Sequence, residues 1–197
     1  MPKVSVIIPT YNRARFLSLA LASVLNQTFQ DFEIIVIDDN SQDNTQEVIV
    51  GFSDRRIRHI HHETNKGVAS ARNTGIINSH SGHIAFLDDD DEWFPHKLEV
   101  QLDLLGKSSP IIGAVYSGIF RVERPKGNVL DHILPKKRGD IFNEMIIENC
   151  VCHTSTLLIR RECFQKVGLF DVNIDYGEDY DMWLRISQKY HFDYIEE

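Results

Sequence analysis

The sequence predicts an α/β domain, a three-layer sandwich whose central sheet is mainly parallel. Three observations carry that expectation. β-rich apolar runs alternate with helix-spaced segments through the first hundred residues, as in a parallel sheet joined by crossover helices. The apolar runs lack a period of two, as strands buried on both faces do. Three of the runs end in groups suited to chemistry, namely Pro9-Thr10-Tyr11, Asp38-Asp39 and Asp88 to Asp91. Parallel connectivity gathers such ends at one edge of a sheet, where open α/β sheets bind ligands.

The elements follow in order. Lys3 to Ile8 is a strand that Pro9 is expected to end, and Asn12 is placed to cap a helix beginning near Arg13. Phe16, Leu17, Ala20, Leu21, Val24 and Leu25 then recur at helical spacing. Phe32 to Ile37 is a second strand, and Asn40, Ser41 and Asp43 supply turn chemistry before a helix from Thr45 to Phe52. Ile57 to His61 reads as a third strand, Asn65-Lys66-Gly67 as a turn, and Val68 to Asn78 as a helix. His83 to Leu87 is the fourth strand; Pro95 falls early in a helix that Lys97 to Leu105 continue.

The second half is less regular. Gly113 to Val122 is a strand or a strand pair, and Pro125 to Arg138, rich in Pro, Gly and Lys, reads as a mobile loop. Ile141 to Glu148 is a short helix, Thr156 to Ile159 a strand, Arg161 to Val167 a helix, and Tyr176 onward opens a last helix. Cys150, Cys152 and Thr154 alternate as one face of a strand would, which favours buried reduced thiols over a zinc set. Asp193 to Glu197 looks like the middle of another strand, so the domain reads as cut short there. We expect one domain over residues 1–197, with a nucleotide-binding half at 1–105 and an acceptor half at 106–197.

Composition narrows the classes. With 197 residues and 42% hydrophobic content the chain can bury a substantial core. A net charge of -8 argues against nucleic acid as a partner. No apolar stretch reaches the length of a membrane span, and the N-terminus lacks the basic and apolar regions of a signal peptide. Cytoplasmic placement is the expectation, with peripheral association at the inner face of the membrane left open.

The run Asp88-Asp89-Asp90-Asp91 is the feature most in need of a reason. Two carboxylates ~4 Å apart repel by roughly 4 kcal/mol at an intermediate dielectric. A hard divalent cation offsets that cost and is commonly shared with substrate phosphates, so Mn²⁺ or Mg²⁺ is expected. A solvated acidic loop is the plainer alternative. Asp38 or Asp39 can accept from a base N–H or a ribose hydroxyl, Tyr11 can stack, and Arg13, Lys66 and Arg72 can offset phosphate charge. Turn formation is the plainer role for Asp38 and Asp39, and solvation for Lys66. Neither G-x-G-x-x-G nor a P-loop occurs, which disfavours a dinucleotide site.

Five segments together resemble the family-two inverting glycosyltransferases of the GT-A fold. They are Val4 to Asn12; Ile37-Asp38-Asp39-Asn40-Ser41 with Asp43; Asn65-Lys66-Gly67 with Ala69 to Asn73; Phe86 to Asp91 with Trp93, Pro95 and Lys97-Leu98-Glu99; and Gly177 to Asp181 with Trp183 and Arg185. The resemblance spans about Val4 to Arg185. It implies transfer from a nucleotide-sugar donor, a UDP-sugar first of all, to a glycan or glycolipid acceptor. It implies that Pro9, Thr10, Tyr11, Asp39, Arg72 and Asp88 meet uracil and ribose, with Asp89 beside them. It further implies that Asp90 holds the metal and that Asp179 is the general base. Glu178 and Asp181 compete for that last role; Glu178 can instead meet the acceptor, and Asp181 can cap its helix. His153 is a further group within reach of an acceptor, or an ordinary strand histidine. A sugar nucleotidyltransferase and a non-catalytic sugar-binding module are the alternatives.

Overall fold

The computed structural model describes residues 1–123, 126–151 and 153–196. The alternation is realised as β1 (Val4–Thr10), α1 (Ala14–Leu25), β2 (Phe32–Asp38), α2 (Thr45–Gly51), β3 (Ile57–His61), α3 (Val68–Asn78), β4 (His83–Phe86) and α4 (Lys97–Lys107). The second half adds β5 (Ile112–Tyr116), β6 (Ile119–Glu123), β7 (Asn128–Ile133), α5 (Phe142–Ile147), a 3₁₀ turn at Thr154–Thr156, β8 (Leu158–Arg160), α6 (Arg161–Val167), α7 (Glu178–Ser187) and β9 (His191–Tyr194).

Among the described residues seven strands form one sheet in the order β3-β2-β1-β4-β8-β5-β9. All neighbours are parallel except where β8 runs against β4 and β5. The chain winds outward from β1 through β2 to β3, then returns to place β4 on the other side of β1. That reversal is the switch point at which such sheets open a crevice.

Alternation along each strand divides the core. Ile7, Ile35, Ile37, Ile84 and Phe86 face α3, α5, α6 and α7, where Phe86 meets Phe164, Phe170 and Trp183. Val4, Val6, Ile8, Ile34 and Val36 face α1, α2 and α4 through Leu17, Leu21, Val24, Ile49, Leu98 and Leu105. Two buried layers on one sheet make the three-layer sandwich that the unalternated apolar runs predict.

Several local expectations are corrected. Pro9 lies inside β1 rather than ending it, opposite Ile37. Ile7 O accepts from Leu87 N, so the N–H that Pro9 lacks would point toward the β4 side, where pairing stops at Ile7 opposite Phe86. Asn12 does not cap α1. It has a φ of 53° and its carboxamide oxygen accepts from Gln42 N, while Asp43 Oδ2 accepts from Ala14 N at 3.0 Å. The cap thus comes from a loop 29 residues away, which no local pattern reveals. Pro95 sits in the turn ahead of α4, not within it.

The segment read as a mobile loop carries β7, which pairs antiparallel with β6 as a separate hairpin. Residues 124 and 125 lie outside the described residues. Most of β6 and β7 is exposed, so their pairing left no burial pattern to read. Cys150 is half-buried beside a 3₁₀ turn rather than on a strand, and Cys152 lies outside the described residues. Cys163 is the buried thiol, and burial pushes it up to about 12. In place of the strand expected over Asp193 to Glu197, β9 runs from His191 to Tyr194 beside β5, and Glu197 lies outside the described residues.

Candidate active site

The crevice at the switch point is walled by Pro9, Thr10, Tyr11 and Arg13 from the end of β1 and by Asp39 after β2. Asn65, Gly67, Val68, Ala71 and Arg72 from the start of α3, and Asp88, Asp89 and Asp90 after β4, complete it. Three strand ends predicted to converge therefore do so. The shape follows from local chemistry. Gly67 adopts a φ of 84° that side-chain-bearing residues resist, which turns the chain into α3. Ala69 and Ala71 keep the first turn of α3 slim, leaving room for the long Arg72 side chain.

Asp39 organises one wall. Its carboxylate accepts from Lys66 N at 2.9 Å, Gly67 N at 2.8 Å and His62 Nδ1 at 2.7 Å. The Lys66 N–H is shared and also reaches Oδ2 at 3.1 Å, so each carboxylate oxygen meets two donors, one of them through the longer branch of a shared bond. Asp38 faces the other side of the sheet. Its Oδ1 accepts from Ser41 N at 2.8 Å and its Oδ2 lies 3.2 Å from His61 Nδ1. Asp38 is thus a turn-former outside the crevice lining, as the plainer reading had it. Lys66 contributes its backbone N–H, and its side chain is also outside the lining.

The four aspartates meet different sets of partners, with Arg13 shared by Asp89 and Asp90 and Ser155 by Asp88 and Asp91. Asp88 Oδ1 accepts from Arg72 at 2.9 Å, and Asp88 N donates to Ser155 Oγ at 3.0 Å. Asp89 accepts from Thr10 Oγ1 at 2.7 Å and lies 3.3 Å from Arg13; burial pushes its carboxyl up against the pull of both. Asp90 Oδ2 meets Arg13 at 2.7 Å. Asp91 turns inward and accepts from Ser155 Oγ at 2.6 Å, and burial raises it as well. Two guanidinium groups and two hydroxyls therefore offset much of the repulsion that seemed to require a metal.

Asp88 and Asp90 remain part-exposed in the crevice, with side-chain exposures of 30% and 48%. The donor set is carboxylate oxygen, which suits Mg²⁺ or Mn²⁺, and Arg13 shows that a positive charge is already drawn to Asp90. The residues present fit such an ion.

Arg72 is the hinge of the site. It is buried, grips Asp88 with one nitrogen and Glu178 Oε1 with another at 2.6 Å, and lies over the Phe170 ring. Glu178 is thus tied through Arg72 to Asp88 in the crevice rather than facing outward. Asp179, next in the chain, accepts from Thr154 Oγ1 at 3.1 Å. Asp181 does not cap α7, whose N-cap is Gly177; it pairs with Arg185 at 2.8 Å. His153 is exposed and lies outside any strand.

Sequence reasoning missed Ser155 and Thr154. Both sit in the 3₁₀ turn, with Ser155 64 residues from its partner Asp91. Trp93 Nε1 donates to Ser155 O at 2.8 Å and fixes that turn. A Thr-Ser-Thr stretch carries no motif, so its neighbours appear only in three dimensions.

Comparison with known proteins gives a consistent picture. The family described as Glycosyl transferase family 2 matches residues 5–168. An uncharacterized glycosyltransferase of Rickettsia prowazekii (strain Madrid E) is 36% identical over 188 residues, covering 93% of this chain and 58% of the relative. The Escherichia coli UDP-Glc:alpha-D-GlcNAc-diphosphoundecaprenol beta-1,3-glucosyltransferase WfgD is 35% identical over 183 residues, covering 93% of this chain and 69% of that protein. Among solved structures, the mannosyltransferase PcManGT of Pyrobaculum calidifontis, in complex with GDP-Man and Mn²⁺, superposes with a TM-score of 0.76 at 21% identity over 100% of this chain and 55% of its own. S. aureus TarS 1-349 with UDP-GlcNAc superposes at 0.72 and 19% identity, covering 99% of this chain and 59% of that one. The two structural likenesses establish the fold. The chain spans about three-fifths of the length of the Rickettsia prowazekii and Rickettsia typhi relatives it matches, 58% and 61%.

Proposed function

The chain belongs to glycosyl transferase family 2, and we propose that it moves a sugar from a nucleoside-diphosphate sugar to an acceptor hydroxyl with inversion at the anomeric carbon. The observation that carries the reading is the joining of Asp39, Arg72, Asp88 and Asp90 around one crevice at the sheet's switch point. A UDP-sugar is the donor we favour, a hexose or N-acetylhexosamine its sugar. Asp39 lines the crevice, where the longer branch from Lys66 N to its Oδ2 can give way to the N3–H of uracil, with Tyr11 as a stacking face. Asp88 lies where a ribose hydroxyl can donate to it, and Arg13 and Arg72 supply positive charge beside the diphosphate. Asp90, with Asp88, would hold Mn²⁺ or Mg²⁺, which when bound stabilises charge on a departing diphosphate.

Asp179 is the general base in this reading. Of the three acids at the start of α7, Glu178 is held by Arg72 and Asp181 by Arg185. Asp179 instead accepts from Thr154 Oγ1, a neutral donor that aims the carboxylate. It takes the proton of the acceptor hydroxyl as that oxygen attacks the anomeric carbon from the side opposite the nucleotide, and the bond to the diphosphate breaks. The acceptor we favour is a glycan or glycolipid. The E. coli relative is named for an undecaprenol-linked acceptor, which supports a lipid-linked acceptor here and peripheral association at the inner face of a membrane. Among the described residues no helix is long and apolar enough to cross one.

Calorimetric titration of UDP and GDP, with Mn²⁺ or with EDTA, tests the donor site. We expect UDP to bind more tightly with Mn²⁺ and Asp90→Ala to erase the difference. Equal UDP affinity with EDTA and Mn²⁺ would remove the metal from the proposal, and tighter GDP binding would remove uridine. Slow release of sugar from UDP-sugar to water separates a transferase from a binding module.

A further inference from the structure

His59 and His61 stand two apart on β3 and so project from one face of the sheet. β2 brings Asp38 to the same place, since Asp38 pairs in register with His61 and Val36 with His59. Asp38 Oδ2 lies 3.2 Å from His61 Nδ1 and 3.6 Å from His59 Nε2, and one ligand atom from each of the three residues falls within 4.8 Å of the others. Two further facts distinguish the cluster from an incidental ion pair. The Ser41 N–H holds Asp38 Oδ1 at 2.8 Å and thereby turns Oδ2 toward both imidazoles. His59 Nε2 is buried and has no hydrogen-bond partner, a state that native structures rarely leave without a reason.

The spacing supplies the reason. Four ligands held tetrahedrally at about 2.0–2.1 Å from a zinc ion stand roughly 3.3–3.4 Å from one another. The two separations from Asp38 Oδ2, 3.2 Å and 3.6 Å, bracket that value. We propose that Asp38, His59 and His61 form a binding site for a borderline transition-metal ion of the Zn²⁺ type. The site is separate from the carboxylate crevice, because adjacent residues on a strand face opposite sides and Asp38 points away from the face that Asp39 serves. Donor chemistry keeps the two sites distinct: imidazole nitrogens favour Zn²⁺, Co²⁺ or Ni²⁺, whereas all-carboxylate sites suit Mg²⁺ and Mn²⁺. His61 is half exposed, which leaves the fourth position open to water. An ion there ties β3, the outermost strand of the sheet, to the last residue of β2, immediately before Asp39.

The test is a titration with Zn²⁺ alone, read by calorimetry and by thermal midpoint, in the Asp90→Ala background so that the crevice does not compete. One equivalent is expected to bind and to raise the midpoint by mass action. His61→Gln should weaken that binding at least tenfold, and His59→Gln combined with His61→Gln should abolish it. The Co²⁺ complex should show weak visible bands without the intense near-ultraviolet absorption of thiolate ligation. Failure of the Asp90→Ala protein to take up Zn²⁺ overturns the site. So does undiminished uptake by the double variant, or a thiolate signature. If the double variant does not fold by circular dichroism, His61→Gln decides, since that side chain is half exposed: unchanged Zn²⁺ affinity in it overturns the proposal.

Discussion

Asp179 and Asp181 stand in the same first turn of α7 and meet different partners. Asp179 accepts from a hydroxyl, and Asp181 closes a part-exposed i,i+4 pair with Arg185. We expect Asp179→Asn to lower turnover by roughly 10²–10⁴ while UDP affinity stays near wild type, because the amide keeps the volume and loses the basic oxygen. Asp181→Asn should cost only about 0.3–0.5 kcal/mol of stability. Steady-state kinetics beside UDP titration check both, and near-normal turnover in Asp179→Asn would move the base elsewhere. Lys97 makes a second prediction at this scale. It is 8% exposed, with Nζ 2.8 Å from Gln101 Oε1 and 4.1 Å from the Trp93 ring centroid, and burial pushes its ammonium down to about 7. In the unfolded chain it titrates near its ordinary 10.5. Between those values the unfolded state binds more protons than the folded one, so stability contributed by this residue rises with pH from about 7 to about 10.5. Lys97→Met should flatten that rise in thermal melts across the window; an unchanged pH slope would show that Lys97 remains charged in the folded protein.

At the scale of elements, α3 shows how small residues position a large one. Gly75 faces β1, and a Cβ there would collide with the side chain of Ile7, itself fully buried. Helix propensity favours Ala over Gly by roughly 1 kcal/mol, while overpacking a tight core costs about 1–3 kcal/mol. We expect the collision to prevail, so Gly75→Ala should lower the urea midpoint; a raised midpoint would mean that β1 yields. The bounds of β3, α3 and α6 are those the sequence predicts. Each is framed by turn residues or by its own periodicity. β7 escaped because exposed hairpin strands bury nothing and so leave no alternation, and the cap of α1 escaped because Asp43 reaches it from the next loop.

At the scale of the molecule, Arg72 joins regions far apart in sequence. It links α3 to Asp88, 16 residues on, and to Glu178, 106 residues on. β8 likewise enters the sheet between β4 and β5, so the sheet runs without a break through both halves of the chain. Removing one member of a buried ionic cluster strands the others, typically at roughly 3–5 kcal/mol. Arg72→Ala should therefore destabilise the whole fold by an amount near the lower end of that range, and should also weaken UDP binding. Arg72→Lys should recover little of either, because a lysine is a single point charge and lacks the fork that spans two carboxylates. Urea melts and UDP titrations on both variants check this, and full rescue by lysine would reduce Arg72 to a simple counter-charge.

What periodicity and strand-end chemistry could settle was the architecture and the address of the site. Apolar runs without alternation require cover on both faces, parallel connectivity places strand ends together, and the acidic run has one sheet edge to occupy. These are local patterns with global consequences, and Asp39, Arg72, Asp88 and Asp90 are found where they point. Only the tertiary structure decided which partner each carboxylate meets. Asp38 turns away toward His59 and His61, Asp91 turns inward to Ser155, Glu178 is taken by Arg72, and Asp179 is left to Thr154. Adjacent acids are chemically alike in a sequence. What separates them is the side-chain partner each one meets, and His61, Thr154, Ser155 and Arg72 lie 23 to 106 residues from the acids they meet, brought together by packing that no local pattern encodes.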